Sequence, residues 1–236
     1  MGDRVKSFSA NAESSGKEKH VRPDEIEKTS MEIIADELGM RGIVIPEENY
    51  AVTRRVIHAT ADFDYAANLV FSDGAVRKAV AAFAHGVPIV TDTNMTLAGI
   101  SRPAMERLGV SAHCFMAEPG IREIARKMGT TRATAAQIYA AAQMPGAVLS
   151  VGNAPTALFE IAHQIRKGLR PALVIGVPVG FVNVIESKEE ILFVCREYDV
   201  PVIAALGRKG GSTVACAILN ALLYEAAGLQ DPSCRF

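Results

Sequence analysis

A chain of 236 residues, 49% of them hydrophobic, is long enough to bury the core of one large domain, so we expect a single domain. Its 25 Lys and Arg balance 26 Asp and Glu, which excludes a global attraction to nucleic acid or to an anionic membrane surface. The four cysteines form no C-x-x-C pair, and their spacing suggests neither a disulfide framework nor a zinc site. The longest apolar run, "PALVIGVPVGFVNVI", is interrupted by Pro and Gly. We therefore expect a cytoplasmic protein without an export signal or a membrane span.

The first segment that predicts regular structure begins at Pro23. Residues 1–21 are small, polar and charged, a composition that predicts a disordered N-terminal extension, so we expect the folded domain to cover residues 22–236. Residues 23–39, "PDEIEKTSMEIIADELG", begin with Pro and acidic residues and end with Gly, a pattern that predicts an amphipathic helix. Its apolar residues are Ile26, Ile33, Ile34 and Leu38.

A second predicted helix, within residues 46–62, carries His58 near its end, where a ring can project into a cleft. For an isolated histidine, a partly exposed ring at a helix end is the simpler interpretation. We expect His85 at another helix end, His163 inside a helix and His113 in a buried strand. The five histidines show no H-E-x-x-H or other ligand spacing, so we do not expect a metal site built by the protein.

After this point, short apolar runs alternate with helical segments. Continuous apolar strands joined by crossover helices are typical of a parallel sheet that is covered on both faces. We therefore predict a Rossmann-like α/β fold, a single domain with three α/β/α layers around a mainly parallel central sheet. The predicted strands are "NLVFS", "VPIVTD", "VSAHCFM", "GAVLSVG", "PALVIG" and "VPVIAAL".

The carboxyl ends of the predicted strands differ from the turns on the opposite side, because they are rich in Gly, Pro, small polar residues or charge. Open α/β sheets bind their ligands beyond these ends, so we expect the ends to form a ligand rim. The four segments are residues 91–95 ("TDTNM"), 151–156 ("VGNAPT"), 176–188 ("GVPVGFVNVIESK") and 206–213 ("LGRKGGST").

The turn "GRKGGST", residues 207–213, follows a predicted strand and opens a helix. It offers backbone N–H groups, a helix N-terminus and two cations, Arg208 and Lys209, to an anionic group. Its spacing matches neither a P-loop nor G-x-G-x-x-G, so a nucleotide site is weakly supported. A tight strand-to-helix turn with two exposed cations remains an alternative.

Two further rim segments differ in how much they say about function. In residues 151–156, Asn153 as a helix N-cap followed by Pro155 in the first turn explains the pattern as well as a ligand does. Residues 176–188 are harder to explain as a connection, because a long loop with Phe181 and Val182 suits an apolar ligand wall.

Taken together, five segments resemble the precorrin-8X methylmutase family, also called precorrin isomerase, with its cobalt-precorrin-8 counterpart. The resemblance extends from about residue 26 to residue 227, and "GNAPTAL" with "GVPVGFV-x-x-x-ESK" is its most specific combination. The segments are "VIHATADFDYA", "GTTRATAA", "VGNAPTALFEI", "IGVPVGFVNVIESK" and "GRKGGSTVACAILNAL".

The resemblance implies an isomerase of vitamin B12 biosynthesis that moves a methyl group from C11 to C12 of precorrin-8 or cobalt-precorrin-8, giving hydrogenobyrinate or cobyrinate. It implies no cofactor, because any cobalt is part of the tetrapyrrole substrate, and a homodimer with active sites near the interface. His58 takes the general-acid role, for which an imidazole is suited near neutral pH. The implied substrate-binding residues are Ser30 from the partner subunit, Thr91, Asp92, Met95, Arg132, Gly207, Arg208, Lys209, Gly210, Gly211 and Ser212.

Several alternatives stay open at this point. A corrinoid carrier could use the same pocket without turnover, and a phosphate- or nucleotide-binding enzyme could use the "GRKGGST" turn. Asp62 and Asp64 are either an acidic pair near a helix start or partners that orient His58. The sequence does not decide between a cobalt-containing and a metal-free substrate.

Overall fold

Six short strands form one sheet in the computed structural model, which describes residues 23–235. Their order across the sheet is β1-β6-β5-β4-β2-β3, and every neighbouring pair is parallel except β1 with β6. This confirms the predicted, mainly parallel α/β architecture. The strands are β1 (Leu69–Phe71), β2 (Ile89–Thr91), β3 (Ala112–His113), β4 (Val148–Val151), β5 (Leu173–Gly176) and β6 (Val202–Ala205).

Eleven α-helices of the described chain cover the two faces of this sheet. The helices are α1 (Pro23–Met40), α2 (Glu47–Thr60), α3 (Tyr65–Asn68), α4 (Ala75–Ala84), α5 (Asn94–Gly99), α6 (Arg102–Leu108), α7 (Ile121–Met128), α8 (Arg132–Gln143), α9 (Pro155–Arg166), α10 (Val184–Glu197) and α11 (Ser212–Ala227). None of them combines the length and the apolar character that crossing a bilayer requires. The predicted extension, residues 1–21, lies outside the described residues.

The core has two halves because neighbouring residues of a strand point to opposite faces of the sheet. Val148 and Leu173 pack with α1, α2, α4, α6 and α11, whereas Leu149 and Val174 pack with α7 to α10. Residues on both faces of the central strands are buried, which explains why these strands read as continuous apolar runs rather than as an alternating pattern.

The strand order reverses between β2 and β4. The chain passes from β2 to β3 on one side and then crosses back to place β4, β5 and β6 on the other side. Such a reversal leaves a crevice beyond the carboxyl ends of the two strands, and this is where open α/β sheets bind ligands. The crevice lies between the segments that follow Thr91 and Val151.

Helix α1 differs from the prediction in its apolar face. Ile34 and Leu38 are buried as expected, but Ile26 and Ile33 are 54% and 57% exposed. The helix packs mainly against α2 along one narrow stripe, and these two isoleucines lie outside that stripe. The sequence pattern could not reveal which of these residues are exposed, because all four are apolar and lie at helical spacing.

The predicted strand "VSAHCFM" is also shorter than expected. Only Ala112 and His113 form strand β3, and a 3-10 turn over Phe115–Ala117 follows. Because β3 is an edge strand, His113 is half-buried instead of buried, and its Nε2 lies 3.1 Å from the hydroxyl of Ser111.

Candidate active site

Asp92 organises the crevice between β2 and β4. Its carboxylate is 2% exposed and accepts three backbone hydrogen bonds, from the N–H groups of Gly152, Asn153 and Ala154, each at 2.8 Å. Burial raises the pKa of the Asp92 carboxyl, while the three N–H groups oppose this shift by favouring the anion. The expected N-cap at Asn153 is therefore wrong: α9 begins after Ala154 without a side-chain cap, and the carboxylate from the neighbouring strand holds the segment.

A cavity of about 280 Å³ opens beside Asp92 and has Arg132 at its edge. Arg132 is the first residue of α8, whose start is capped by the hydroxyl of Thr131 accepting from the N–H of Thr134. The guanidinium is exposed and forms no ion pair in the described part of the chain, so it can bind a carboxylate from outside. The cavity is also lined by Thr93, Asn94, Met116, Ala117, Asn153 and Ala154.

The 91–95 segment is joined to the start of α11. The hydroxyls of Thr93 and Ser212 form a hydrogen bond of 2.9 Å, and the buried hydroxyl of Thr91 donates to the carbonyl of Thr93 at 3.0 Å. Met95 is 70% exposed and lies one turn further along. The expected substrate-binding residues of these two segments are therefore brought together, although Thr91 itself is enclosed.

The 207–211 turn approaches the loop after β5 so closely that only glycine fits at Gly210. A Cβ atom there would lie 2.1 Å from the carbonyl oxygen of Val177, and the φ of +158° also favours glycine. The N–H of Gly211 donates to the same oxygen at 2.8 Å. Arg208 lies over the ring of Phe181, with its Cζ 5.5 Å from the ring centroid.

Lys209 is not a free cation, contrary to the expectation for this turn. Its Nζ donates to Oδ2 of Asp62 and to Oδ2 of Asp64, each at 2.6 Å. The two carboxylates raise the pKa of Lys209 above its ordinary value, and Lys209 lowers the pKa of Asp62. The two aspartates therefore act neither as an acidic pair at a helix start nor as partners of His58. They form ion pairs that hold the segment after α2 against the 207–211 turn.

His58 lies in the last turn of α2, one helical turn before Asp62. The ion pairs of Lys209 bring this end of the helix to the rim. The His58 side chain is exposed and has no hydrogen-bond or ion-pair partner among the described residues. It is thus free to meet a ligand at the rim.

Ser30 is not part of this cluster within one chain. Its hydroxyl donates to the carbonyl of Ile26, and its neighbours Glu27 and Met31 line a cavity with Ala221 of α11. The rim begins at the other end of α11, so nine residues of helix, about 14 Å at 1.5 Å per residue, separate it from Ala221. The expected contribution of Ser30 to the partner's site stays a prediction.

The loop that follows β5 exposes apolar side chains at the rim. Phe181 is 82% exposed, and Val179 and Val182 are also exposed, as expected for Phe181 and Val182. Across the described residues, no group of three His, Cys, Asp or Glu side chains has the arrangement of a metal site.

One rim residue was missed by the sequence reasoning. Lys188, in "ESK", is 1% exposed, and its Nζ donates to the carbonyls of Gly207 and Lys209. Although "ESK" ends the segment expected at the rim, the charged run "ESKEE" did not indicate that this lysine turns inward.

Comparisons with known proteins agree on one family. The family model for precorrin-8X methylmutase matches residues 25–225. The cobalt-precorrin-8 methylmutase of Priestia megaterium is 38% identical over 86% of this chain and 88% of its own length, and that of Leptospira interrogans is 42% identical over 84% and 91%. The crystal structure of precorrin-8X methylmutase from Thermus thermophilus superposes with a TM-score of 0.76 at 40% identity, covering 86% of this chain and 98% of that one.

Proposed function

This chain belongs to the precorrin-8X methylmutase family, and we propose that His58 is the proton donor of its reaction. The protein is an isomerase of cobalamin biosynthesis, which moves a methyl group within its precorrin substrate. The names of its relatives favour turnover over the alternative of a carrier. No nucleotide needs to be invoked for the "GRKGGST" turn.

The observation that carries the proposal is the position of His58. Its ring is exposed and without a partner in the described chain, at a helix end that Lys209 holds against the 207–211 turn. An imidazole that is not committed to a structural hydrogen bond can donate its proton to a ring nitrogen of a bound macrocycle. Protonation lowers the energy of the rearranging π-system while the methyl group migrates, and the proton returns to His58 afterwards.

The rest of the rim suits a flat apolar body with carboxylates at its edge. We propose that Arg132 binds one carboxylate and that the 207–212 turn binds another through its N–H groups and Arg208. Phe181 and its neighbours contact the apolar face. The cavity beside Arg132, at about 280 Å³, can take a side chain of the macrocycle but not the ring, which would lie across the rim.

We propose that the enzyme is a homodimer in which Ser30 serves the site of the other subunit. Ile26, Ile33 and Met40 are exposed and recur every seven residues, so they lie on one side of α1, which a second copy can cover. Mixed dimers test this arrangement. When Ser30→Ala and His58→Ala chains are combined, a shared site gives one intact site per mixed dimer and restores activity, whereas a site within one chain stays inactive.

Turnover of metal-free precorrin-8 by His58→Ala tests the central proposal. We expect the variant to bind substrate with an affinity close to that of the wild type and to lose the change in the visible spectrum that accompanies methyl migration. His85→Ala, an exposed histidine at the end of α4, is the matched control and should remain active. Full activity of His58→Ala would exclude this residue as the proton donor.

Whether the natural substrate contains cobalt is a separate question. The two relatives named above are cobalt-precorrin-8 methylmutases, and the Thermus protein is a precorrin-8X methylmutase, so both substrates are candidates. We propose that the enzyme works in the cytoplasm, needs no cofactor of its own, and receives any cobalt inside the macrocycle. Comparing kcat/KM for the two substrates, with metal analysis of the purified protein, tests this.

A further inference from the structure

Lys188 is buried in the second turn of α10 without a carboxylate partner. Its side chain is 1% exposed, and no carboxylate in the described part of the chain forms an ion pair with it. Burial lowers the pKa of Lys188 to about 8. An apolar residue at this position would avoid the cost of burying a charge, so the presence of an ammonium group here requires a specific reason.

The hydrogen bonds of the Lys188 ammonium group give a reason for its burial. Its Nζ donates to the carbonyl oxygens of Gly207 and Lys209, each at 2.8 Å. The carbonyl between them, that of Arg208, accepts from the N–H of Gly180 at 3.3 Å. Three successive carbonyls of the turn are therefore held by donors from the protein.

The orientation of these carbonyls determines where the N–H groups of the turn point. In a planar trans peptide the C=O and the following N–H point in opposite directions. With the carbonyls of Gly207 and Lys209 turned toward Lys188, the N–H groups of Arg208 and Gly210 point away from it. Neither N–H has an acceptor in the described part of the chain. The first turn of α11, which has no side-chain cap, directs further N–H groups to the same rim.

We propose that Lys188 is a positioning residue that turns the 207–211 segment into a receptor for a substrate carboxylate. This inference rests on the proposed function of the rim. Lys188 does not contact the substrate. It holds the carbonyls on the protein side, so that backbone N–H groups are presented to an anion that they could not bind if the peptides rotated.

Titration with hydrogenobyrinate, the metal-free product, tests the inference without requiring turnover. Lys188→Met has a similar length but no donor, and we expect it to weaken the Kd at least about tenfold, equivalent to roughly one hydrogen bond to a charged group. In assays with precorrin-8, KM should rise similarly while kcat at saturation changes less than about threefold. Lys188→Arg, which keeps donors, should recover much of the affinity.

The matched control is Lys78→Met, at a half-exposed lysine that pairs with Asp199. It should leave Kd and KM unchanged. A purely structural role for Lys188 would lower the melting temperature or the folded fraction of Lys188→Met but would leave the Kd of the folded protein unchanged, which would overturn the inference. Loss of kcat with an unchanged Kd would also overturn it.

If Lys188→Met does not fold, Lys188→Gln replaces it, because an amide can hold one of the two carbonyls. We then expect an intermediate loss of affinity, and a Kd within about twofold of the wild type would count against the inference. Absence of turnover by the wild type would instead refute the proposed function, and the product titration distinguishes the two failures.

Discussion

Replacement of Asp92 by Asn should destabilise the protein more than any exchange of this kind on the surface. The carboxylate of Asp92 accepts three N–H groups from residues 152–154 at 2.8 Å and is 2% exposed. An amide keeps one oxygen, so one or two of these bonds are lost and an NH₂ group faces a backbone donor. Each hydrogen bond to a charged group contributes about 1.5–3 kcal/mol. Because the variant no longer buries a charge, part of this loss is recovered, and we expect a net loss of about 2–4 kcal/mol.

Urea unfolding followed by far-UV circular dichroism measures this loss, since the chain has no tryptophan to report by fluorescence. For a chain of this size the loss corresponds to a fall in Tm of about 4–8 °C. Asp73→Asn, at an exposed aspartate before α4, is the control and should cost less than about 0.5 kcal/mol. If Asp92→Asn also stayed within about 0.5 kcal/mol of the wild type, the three hydrogen bonds would contribute little to the stability of the crevice.

Three further predictions concern the 207–211 turn. Gly210→Ala should displace the turn and weaken product binding in the same titration, because its Cβ would lie 2.1 Å from the Val177 carbonyl oxygen; wild-type affinity would contradict this. Asp62→Asn removes one of the two exposed ion pairs of Lys209, so the midpoint of urea unfolding should change little, because exposed ion pairs contribute little to stability. Turnover should fall more clearly, and an unchanged kcat/KM would contradict the role of this pair in positioning α2. Because the pKa of Lys188 is lowered to about 8 in the folded protein, the unfolded chain binds more protons than the folded chain above that pH. The free energy of unfolding of the wild type, minus that of Lys188→Met, should therefore rise between about pH 8 and pH 10. A difference that does not change with pH would contradict the lowered pKa.

The sequence predicted the sheet and the rim because both leave local signals. Buried parallel strands are continuous apolar runs, and their carboxyl ends are marked by Gly, Pro and small polar residues. The pairing of Lys209 with Asp62 left no such signal, since the two residues are 147 positions apart and meet only when α2 packs beside α11. The hydrogen bonds of Asp92 left no local signal either. Its carboxylate accepts from backbone N–H groups that lie 60 or more residues further along the chain, in a segment whose sequence resembles a capped helix start.

Lys188 shows a different limit. A lysine in a charged run on a helix is normally solvated, and burial of its ammonium depends on two carbonyls from a turn that lies about 20 residues further along the chain. The charge pattern of a single helix cannot report such a partner.

The two outer strands of the sheet also govern how the protein can associate. β1 has three residues and β3 has two, so each edge offers only a few free backbone groups to another chain. Short edges of this kind protect against uncontrolled strand addition and aggregation. Strand pairing across these edges is therefore a poor route to assembly, which leaves the helical faces as the surfaces through which a second copy would pack.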